Sequence, residues 1–292
     1  MINSAQTGLL EKLTNLNTWV RAGQRAPHKP LYFLLCVGRL QAGLPRLAHF
    51  SEIQEKLKSA LQIFGPSRKS HHAEYPFWHL AQDKESVCEI ASEKAISLRP
   101  GSSNPSSSEL VRTVALGGLR APYFAALKEL EFASIATHRI LDAHFPPLLH
   151  SDIRDFFEIK LDDPHSNDHS ETWRFRKRVL DAYEGTCCIT GMQTSFKSTA
   201  PGLESIHICW PQAGGNDEES NGILMNTFHA KLFALGMIGL TSNFELLVSP
   251  QLETNGTLEK FSQRTRLRLP NERDHWPSQS GLEWHRSQVF KA

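Results

Sequence analysis

The sequence predicts an α+β protein of two domains: a mainly helical N-terminal domain with a small sheet, then a compact strand–loop–strand–helix (ββα) unit. Three observations carry this. The chain has 292 residues, more than one hydrophobic core commonly organises. Residues 161–171, LDDPHSNDHSE, are polar and nearly free of apolar side chains, as an exposed boundary is. Before that boundary, apolar residues recur at helical spacing. After it, residues 204–240 read as a short apolar run, a Gly-Gly turn, a second apolar run and a helix. The domains are therefore placed at 1–160 and 172–292, with 161–171 as linker.

The elements follow in order. Residues 5–20 set Leu9, Leu10, Leu13, Leu16 and Trp19 on one stripe, an amphipathic helix. Residues 30–43, PLYFLLCVGRLQAG, open on Pro and close on Gly, the asymmetry of a buried helix. A third helix is expected over 49–63, with Ser51 as N-cap. Residues 64–80, FGPSRKSHHAEYPFWHL, read as a basic, aromatic loop leading into a strand, with Phe77 and Trp78 in the core. Residues 86–92 read as a strand and 99–110 as a Gly/Ser/Pro loop. Gly117 and Gly118 suggest a turn. Residues 122–143 read as one helix and 150–157 as a short one. The second domain opens with the basic amphipathic stretch TWRFRKRVLDAY, turns at Glu184-Gly185 and enters a short strand.

Composition narrows the functional classes. The formal charge is only +1, so any nucleic-acid surface must be a local cluster of cations. The apolar run Leu31–Val37 is too short to span a membrane. Five cysteines without a C-x-x-C pair make a structural zinc site unlikely and point to reduced thiols in the cytoplasm.

The C-terminal pattern suits a ββα-metal nuclease. A strand His can deprotonate a water for attack on phosphorus. An Asn can fix the loop, and a helix residue can hold a divalent metal that takes up developing charge. His207 fits the base, Asn221 the loop and His229 the helix position. The runs RKRVLDAYEGTCCITG, SIHICWP, GGNDEESNGILM and LFALGMIGL resemble the HNH nuclease domains of restriction enzymes over residues 172–245. Aligned without gaps on Asn221-Gly222 and Gly236-Met237-Ile238, that family's metal-binding His and its Asp fall on Ala230 and Ala234. His229 is one residue early, about 100° around a helix. Three readings follow: a register shift that lets His229 serve, a degenerate nuclease that binds without cutting, or alanines introduced to stop cleavage.

In the first half, RAPHKPLYFLL, FGPSRKSHHAEYPFWHL, ALGGL and 144-HFPPLLH-150 resemble the sulfur-binding domain of modification-dependent restriction enzymes, over residues 1–160. The resemblance implies recognition of phosphorothioate, a backbone in which sulfur replaces one non-bridging oxygen. Sulfur is larger, softer and less strongly hydrated than oxygen, so an apolar hollow favours it, while cations at the rim meet the remaining charge. Tyr75 and Pro76 are the candidates for the hollow. Arg25, His28, Lys29 and His72 are candidates for the rim, with His71 weighed beside them. Gly117 and Gly118 would allow close backbone approach to DNA. Arg99, Arg112 and Arg120 could contact phosphate or a base edge, with nothing to select among them. Arg174, Arg176, Lys177 and Arg178 read as a solvated face able to meet phosphate.

The expected function is a modification-dependent restriction endonuclease that binds double-stranded phosphorothioate DNA and hydrolyses nearby phosphodiester bonds. Its metal, by resemblance, would be Mg or Mn, and a homodimer could cut both strands. Its rivals are a non-cleaving reader with an inactivated HNH domain and an HNH enzyme without sulfur preference.

Overall fold

The computed structural model describes residues 4–14, 16, 27–66, 68, 70–82, 86–161, 170–195, 200–253 and 266–292. Those through 161 form one compact unit and those from 170 form another. Most of the expected linker, together with Trp19 and Arg25, lies outside the described residues. No described helix is long and apolar enough to cross a membrane.

The first unit runs α1 (Ser4–Thr14), α2 (His28–Gln41), β1 (Leu47–His49), α3 (Phe50–Phe64), α4 (Glu74–Gln82), β2 (Cys88–Ala91), α5 (Ser107–Arg112), β3 (Leu116–Leu119), α6 (Ala121–Ala126), α7 (Leu130–His144) and α8 (His150–Phe157). The strands form one antiparallel sheet in the order β1-β3-β2. Helix α2 is buried from Pro30 to Gly38, as its apolar run requires. It packs against α3, α4, α7 and α8. Helix α3 buries Phe50, Ile53, Leu57, Ala60, Leu61 and Phe64, the stripe that its sequence spacing sets.

Several expectations are corrected. Ser51 does not cap α3; His49 occupies that position and makes no side-chain cap bond. The loop and strand expected over 64–80 are instead a loop and helix α4. Aromatic content favours strands, but Ala73, Phe77 and Leu80 are all buried, and their helical spacing decides. Pro76 is the third residue of that helix, where its missing N–H costs nothing. Trp78 is half-buried and donates Nε1–H to the Ser103 carbonyl at 3.0 Å, so only Phe77 is core. The loop expected through 110 gives way to α5, whose first turn is capped by Ser106 accepting from the Glu109 amide at 3.0 Å. The single helix expected over 122–143 is two, α6 and α7.

Gly117 and Gly118 are not in a turn. They lie in central strand β3, paired to Ala48 and Leu47 of β1 and to Ile90 and Glu89 of β2. The close approach they permit is internal. A Cβ on Gly117 would sit 2.7 Å from Cζ of Phe77 and 2.8 Å from the Tyr32 hydroxyl oxygen. One on Gly118 would run into the Arg46 carbonyl. Their expected role as points of DNA approach is therefore corrected to a packing role.

The second unit runs α9 (Ser170–Ala182), β4 (Leu203–His207), β5 (Gly222–Asn226), α10 (Thr227–Leu235), β6 (Ile238–Leu240), β7 (Leu246–Val248) and α11 (Gln279–Gln288). Strands β4 and β5 pair antiparallel from Leu203↔Asn226 to His207↔Gly222, and β6 pairs with β7. Helix α9 packs on β4 and β5, and α10 on β5 and β6. The chain turns at Glu184 and Gly185, both with positive φ. The strand expected next is a single bridge, Thr186 to Gln193.

Gly117→Ala should destabilise the first unit by about 1–3 kcal/mol, the cost of overpacking a filled core, read as a lower midpoint in urea. Unchanged stability with weakened DNA binding would restore the DNA-approach role.

Candidate nucleic-acid interface

The first cluster is built around Glu74, at the start of α4. Its residue is only 3% exposed, yet the carboxylate is fully engaged. Ser107 donates its hydroxyl at 2.8 Å, Arg99 donates from its guanidinium, and His72 Nδ1 lies 3.0 Å away. Burial pushes the Glu74 carboxyl up. Its own backbone N–H, Ser107, His72 and Arg99 outweigh that and hold it below its ordinary value.

These partners surround Tyr75. The His72 ring stacks on the Tyr75 ring with centroids 4.7 Å apart and planes 19° from parallel. The Arg99 guanidinium carbon lies 5.8 Å from the same centroid, and His79 meets Tyr75 edge-on at 6.2 Å. Ser70 Oγ is 2.8 Å from His72 Nε2, fixing the far side of that ring. Tyr75 is half-buried, with part of its surface open, whereas Pro76 is buried. Pro76 therefore shapes α4 from within and does not line an open hollow.

Helices α2 and α4 meet near their first turns, where the rings of Tyr32 and Phe77 are 5.7 Å apart. His28 and Lys29, the first residues of α2, are half-buried beside that crossing. Of the three arginines that the sequence could not rank, Arg99 joins Tyr75. Arg112 is tied to Glu109 by two hydrogen bonds at 2.9 and 2.7 Å, and Arg120 to Ser86 at 3.1 and 2.8 Å. The organising residues, Glu74 and Ser107, were missed. Their only sequence signal is an acid between two histidines and an aromatic run, and a serine inside a serine-rich loop.

The second cluster sits where β4 ends. The His207 ring stacks on Phe175 at 3.7 Å and 7°, and its Nε2 lies 2.7 Å from Asp217 Oδ1. Burial pushes the imidazole below its ordinary value, and Asp217 only partly opposes this. A neutral ring that donates Nε2–H to Asp217 keeps its lone pair on Nδ1. Asn221 braces the loop that carries Asp217. Its Oδ1 accepts from the Cys209 amide at 2.9 Å, and its Nδ2 donates to the carbonyls of Cys209 at 2.9 Å and Asn216 at 2.8 Å. Arg176 pairs with Glu204 at 2.7 Å and Arg178 with Glu219 at 2.9 Å. Arg174 is exposed. The basic face of α9 is thus largely neutralised by its own unit.

Among the described residues, those at the expected metal-holding positions do not fit a divalent metal. Ala230 and Ala234, at 0% and 2% exposure, are core methyl groups of α10 and offer no donor. His229, the expected metal ligand, is committed elsewhere. Its Nδ1 lies 2.9 Å from Asn226 Oδ1, and its ring hydrogen-bonds the Cys187 sulfur. Among the described residues, no group of three or more His, Cys, Asp or Glu comes together around a metal-sized site. Asp217, Asn226 and Cys187 were not singled out for these roles. Only Asn226 had a readable signal, an N-cap residue ahead of a helix.

Among curated proteins, none matches the chain. Solved structures resemble it, three of them as follows. The sulfur-binding domain of ScoMcrA complexed with phosphorothioated DNA is 20% identical, covering 51% of this chain and 97% of that one, at a TM-score of 0.44. The sulfur-binding and SRA domains of ScoMcrA complexed with phosphorothioated DNA are 17% identical, covering 68% of each chain, at 0.46. The Type IV phosphorothioation-dependent restriction endonuclease ScoMcrA is 21% identical, covering 57% of this chain and 34% of that one, at 0.41. The model of the ScoMcrA-like DNA sulfur-binding domain matches residues 6–160, which is 155 of the 292 residues and more than half. The chain belongs to the ScoMcrA-like DNA sulfur-binding domain family.

Proposed function

We propose that this chain reads phosphorothioate in double-stranded DNA through its first unit, and that its second unit does not cut by the metal-dependent route of HNH nucleases. The observation that carries the reading is the family match over residues 6–160. The Tyr75 cluster adds a physical rationale. A partly open aromatic ring held between His72 and Arg99 offers a weakly hydrated surface to sulfur, and the Arg99 guanidinium offers hydrogen-bond donors to the remaining phosphate oxygens.

The second unit supports the reader over the cutter. Where the HNH pattern calls for a metal-holding His and an Asp, α10 carries buried Ala230 and Ala234. The helix is instead tied to the turn before β4 by the Cys187–His229–Asn226 chain of contacts. Burial alone would push the Cys187 thiol up. The hydrogen bond from His229, together with those from Thr190 and the Asn226 amide, brings it down to about 6. A thiol so lowered, accepting from the Asn226 amide at 3.3 Å and hydrogen-bonded to His229, joins α10 to the loop.

A second reading, cleavage, keeps one observation in its favour: the His207–Asp217 pair and the Asn221 brace are the parts of a water-activating site that need no metal to assemble. No step through a metal is derived from them.

Matched duplexes with and without a single phosphorothioate test the reading by fluorescence anisotropy. The sulfur-bearing duplex should bind at least about tenfold tighter, about 1.4 kcal/mol. Tyr75→Ala should erase most of that ratio while leaving affinity for plain DNA within about threefold. Equal affinities for both duplexes in the native protein would sink the proposal. Phosphorothioate plasmid incubated with Mn should stay intact; cutting that disappears in His207→Ala would establish the second reading. The Cys187 contact gives a pH signature. A thiol lowered from 9.0 to about 6 adds stability that is complete above about 9 and lost as pH falls through about 6. The stability gap between the native protein and Cys187→Ser should therefore widen as pH rises from 6 to 9. A gap independent of pH would show that no charged sulfur is present.

A further inference from the structure

We propose that Glu74 is a positioning and charge-setting residue for sulfur discrimination, an inference that rests on the phosphorothioate-reading function. Glu74 links three separate pieces of chain. Through His72 it holds residues 70–72, through Arg99 the start of the 99–104 loop, and through Ser107 the first turn of α5. The loop has a second anchor on α4, the hydrogen bond from Trp78 to the Ser103 carbonyl. Both groups placed around the Tyr75 ring, His72 and Arg99, share one Glu74 oxygen, Oε1. Their own side chains remain 36% and 33% exposed, while that of Glu74 is 4% exposed. The two partners are part-exposed and the carboxylate that joins them is buried.

This arrangement has an electrostatic consequence. Phosphate and phosphorothioate both carry a negative charge, so attraction to a bare cation draws in both. A free Arg99 would strengthen binding to any DNA backbone without favouring sulfur. Glu74 cancels that charge at contact distance and fixes the guanidinium beside Tyr75. Binding at this face then depends on what the Tyr75 surface touches. Specificity is raised by withholding affinity from the wrong partner.

The test measures affinity for plain and sulfur-bearing duplexes of one sequence across a salt series, using the full chain. Glu74→Gln keeps the shape of the side chain and one accepting oxygen, replaces the other with an NH2 that can donate to the Ser107 hydroxyl oxygen, and removes the charge. It should bind plain DNA several-fold tighter, lower the sulfur-to-oxygen affinity ratio, and steepen the log–log salt dependence by about 0.9, one added phosphate contact. Adding Arg99→Gln should return plain-DNA affinity and salt slope to native values without restoring the ratio. A purely structural Glu74 would weaken binding to both duplexes and leave the slope unchanged; that result overturns the inference, as does an unaltered ratio. Should Glu74→Gln fail to fold, shown by loss of its thermal transition, Glu74→Asp serves instead: it keeps the charge but shortens the reach. It should hold plain-DNA affinity and lower the ratio, and an unchanged ratio there also overturns the inference. Equal binding of both duplexes by the native protein defeats the phosphorothioate-reading function itself. That outcome is distinct from a native preference that Glu74→Gln leaves intact.

Discussion

A carboxylate withdrawn from water is expensive unless its lone pairs are used, and Glu74 uses both of its oxygens. That requirement organises the outer surface of the first unit. Ser107 must begin α5 where it does, Arg99 must turn back toward α4, and His72 must lie flat on Tyr75. Beneath this cluster, α4 is fixed by Phe77, whose ring meets Tyr32 of α2 and Phe50 of α3. Phe77 also fills the space left open by Gly117 of the central strand. The surface residues hold their places because the core below leaves α4 little freedom to rotate.

The second unit relies on side-chain amides in the same way. Asn221 closes the long loop between β4 and β5 with three hydrogen bonds, and that loop carries Asp217 to His207. Asn226 does double duty at the next boundary. Its Oδ1 accepts from the His229 amide at 2.9 Å, starting α10, and also contacts the His229 ring. The helix is therefore oriented by its own cap. Two alanines on such a helix cost no packing, because both methyl groups are buried. The strand–loop–strand–helix arrangement is thus held by side-chain amides and by the close packing of α10.

Residue patterns made much of this legible. The stripe in α3 and the apolar run of α2 are periodic over many residues, and burial follows such patterns directly. Tyr75, His72, His207 and Asn221 could be singled out as candidates because their residue types carry unusual chemistry. What stayed hidden depended on contacts between distant segments. Helix α4 was obscured because its aromatic residues favour a strand locally, and only packing against α2 and α3 decides otherwise. Gly117 and Gly118 looked like a turn because sequence shows that a glycine is small, not what lies beside it. Glu74 was invisible as a hub because its partners, 25 and 33 positions away, adjoin it only once the 99–107 loop has folded back.

Net charge ties the two units to one physical logic. A chain with a formal charge of +1 has little long-range pull on a polyanion. Within it, Arg176, Arg178, Arg99 and Arg112 are each paired with a carboxylate. Surface pairs of this kind add little stability. Their effect on encounter is larger, because each one removes a cation that would otherwise hold any phosphate. A protein that must find a rare sulfur among many oxygens of equal charge gains by such restraint: weak general attraction keeps it from being sequestered on unmodified DNA, and leaves the decision to a contact that responds to hydration and size. The buried Glu74 is the most confined instance of this pairing, since its charge is opposed at contact distance and shielded least by water.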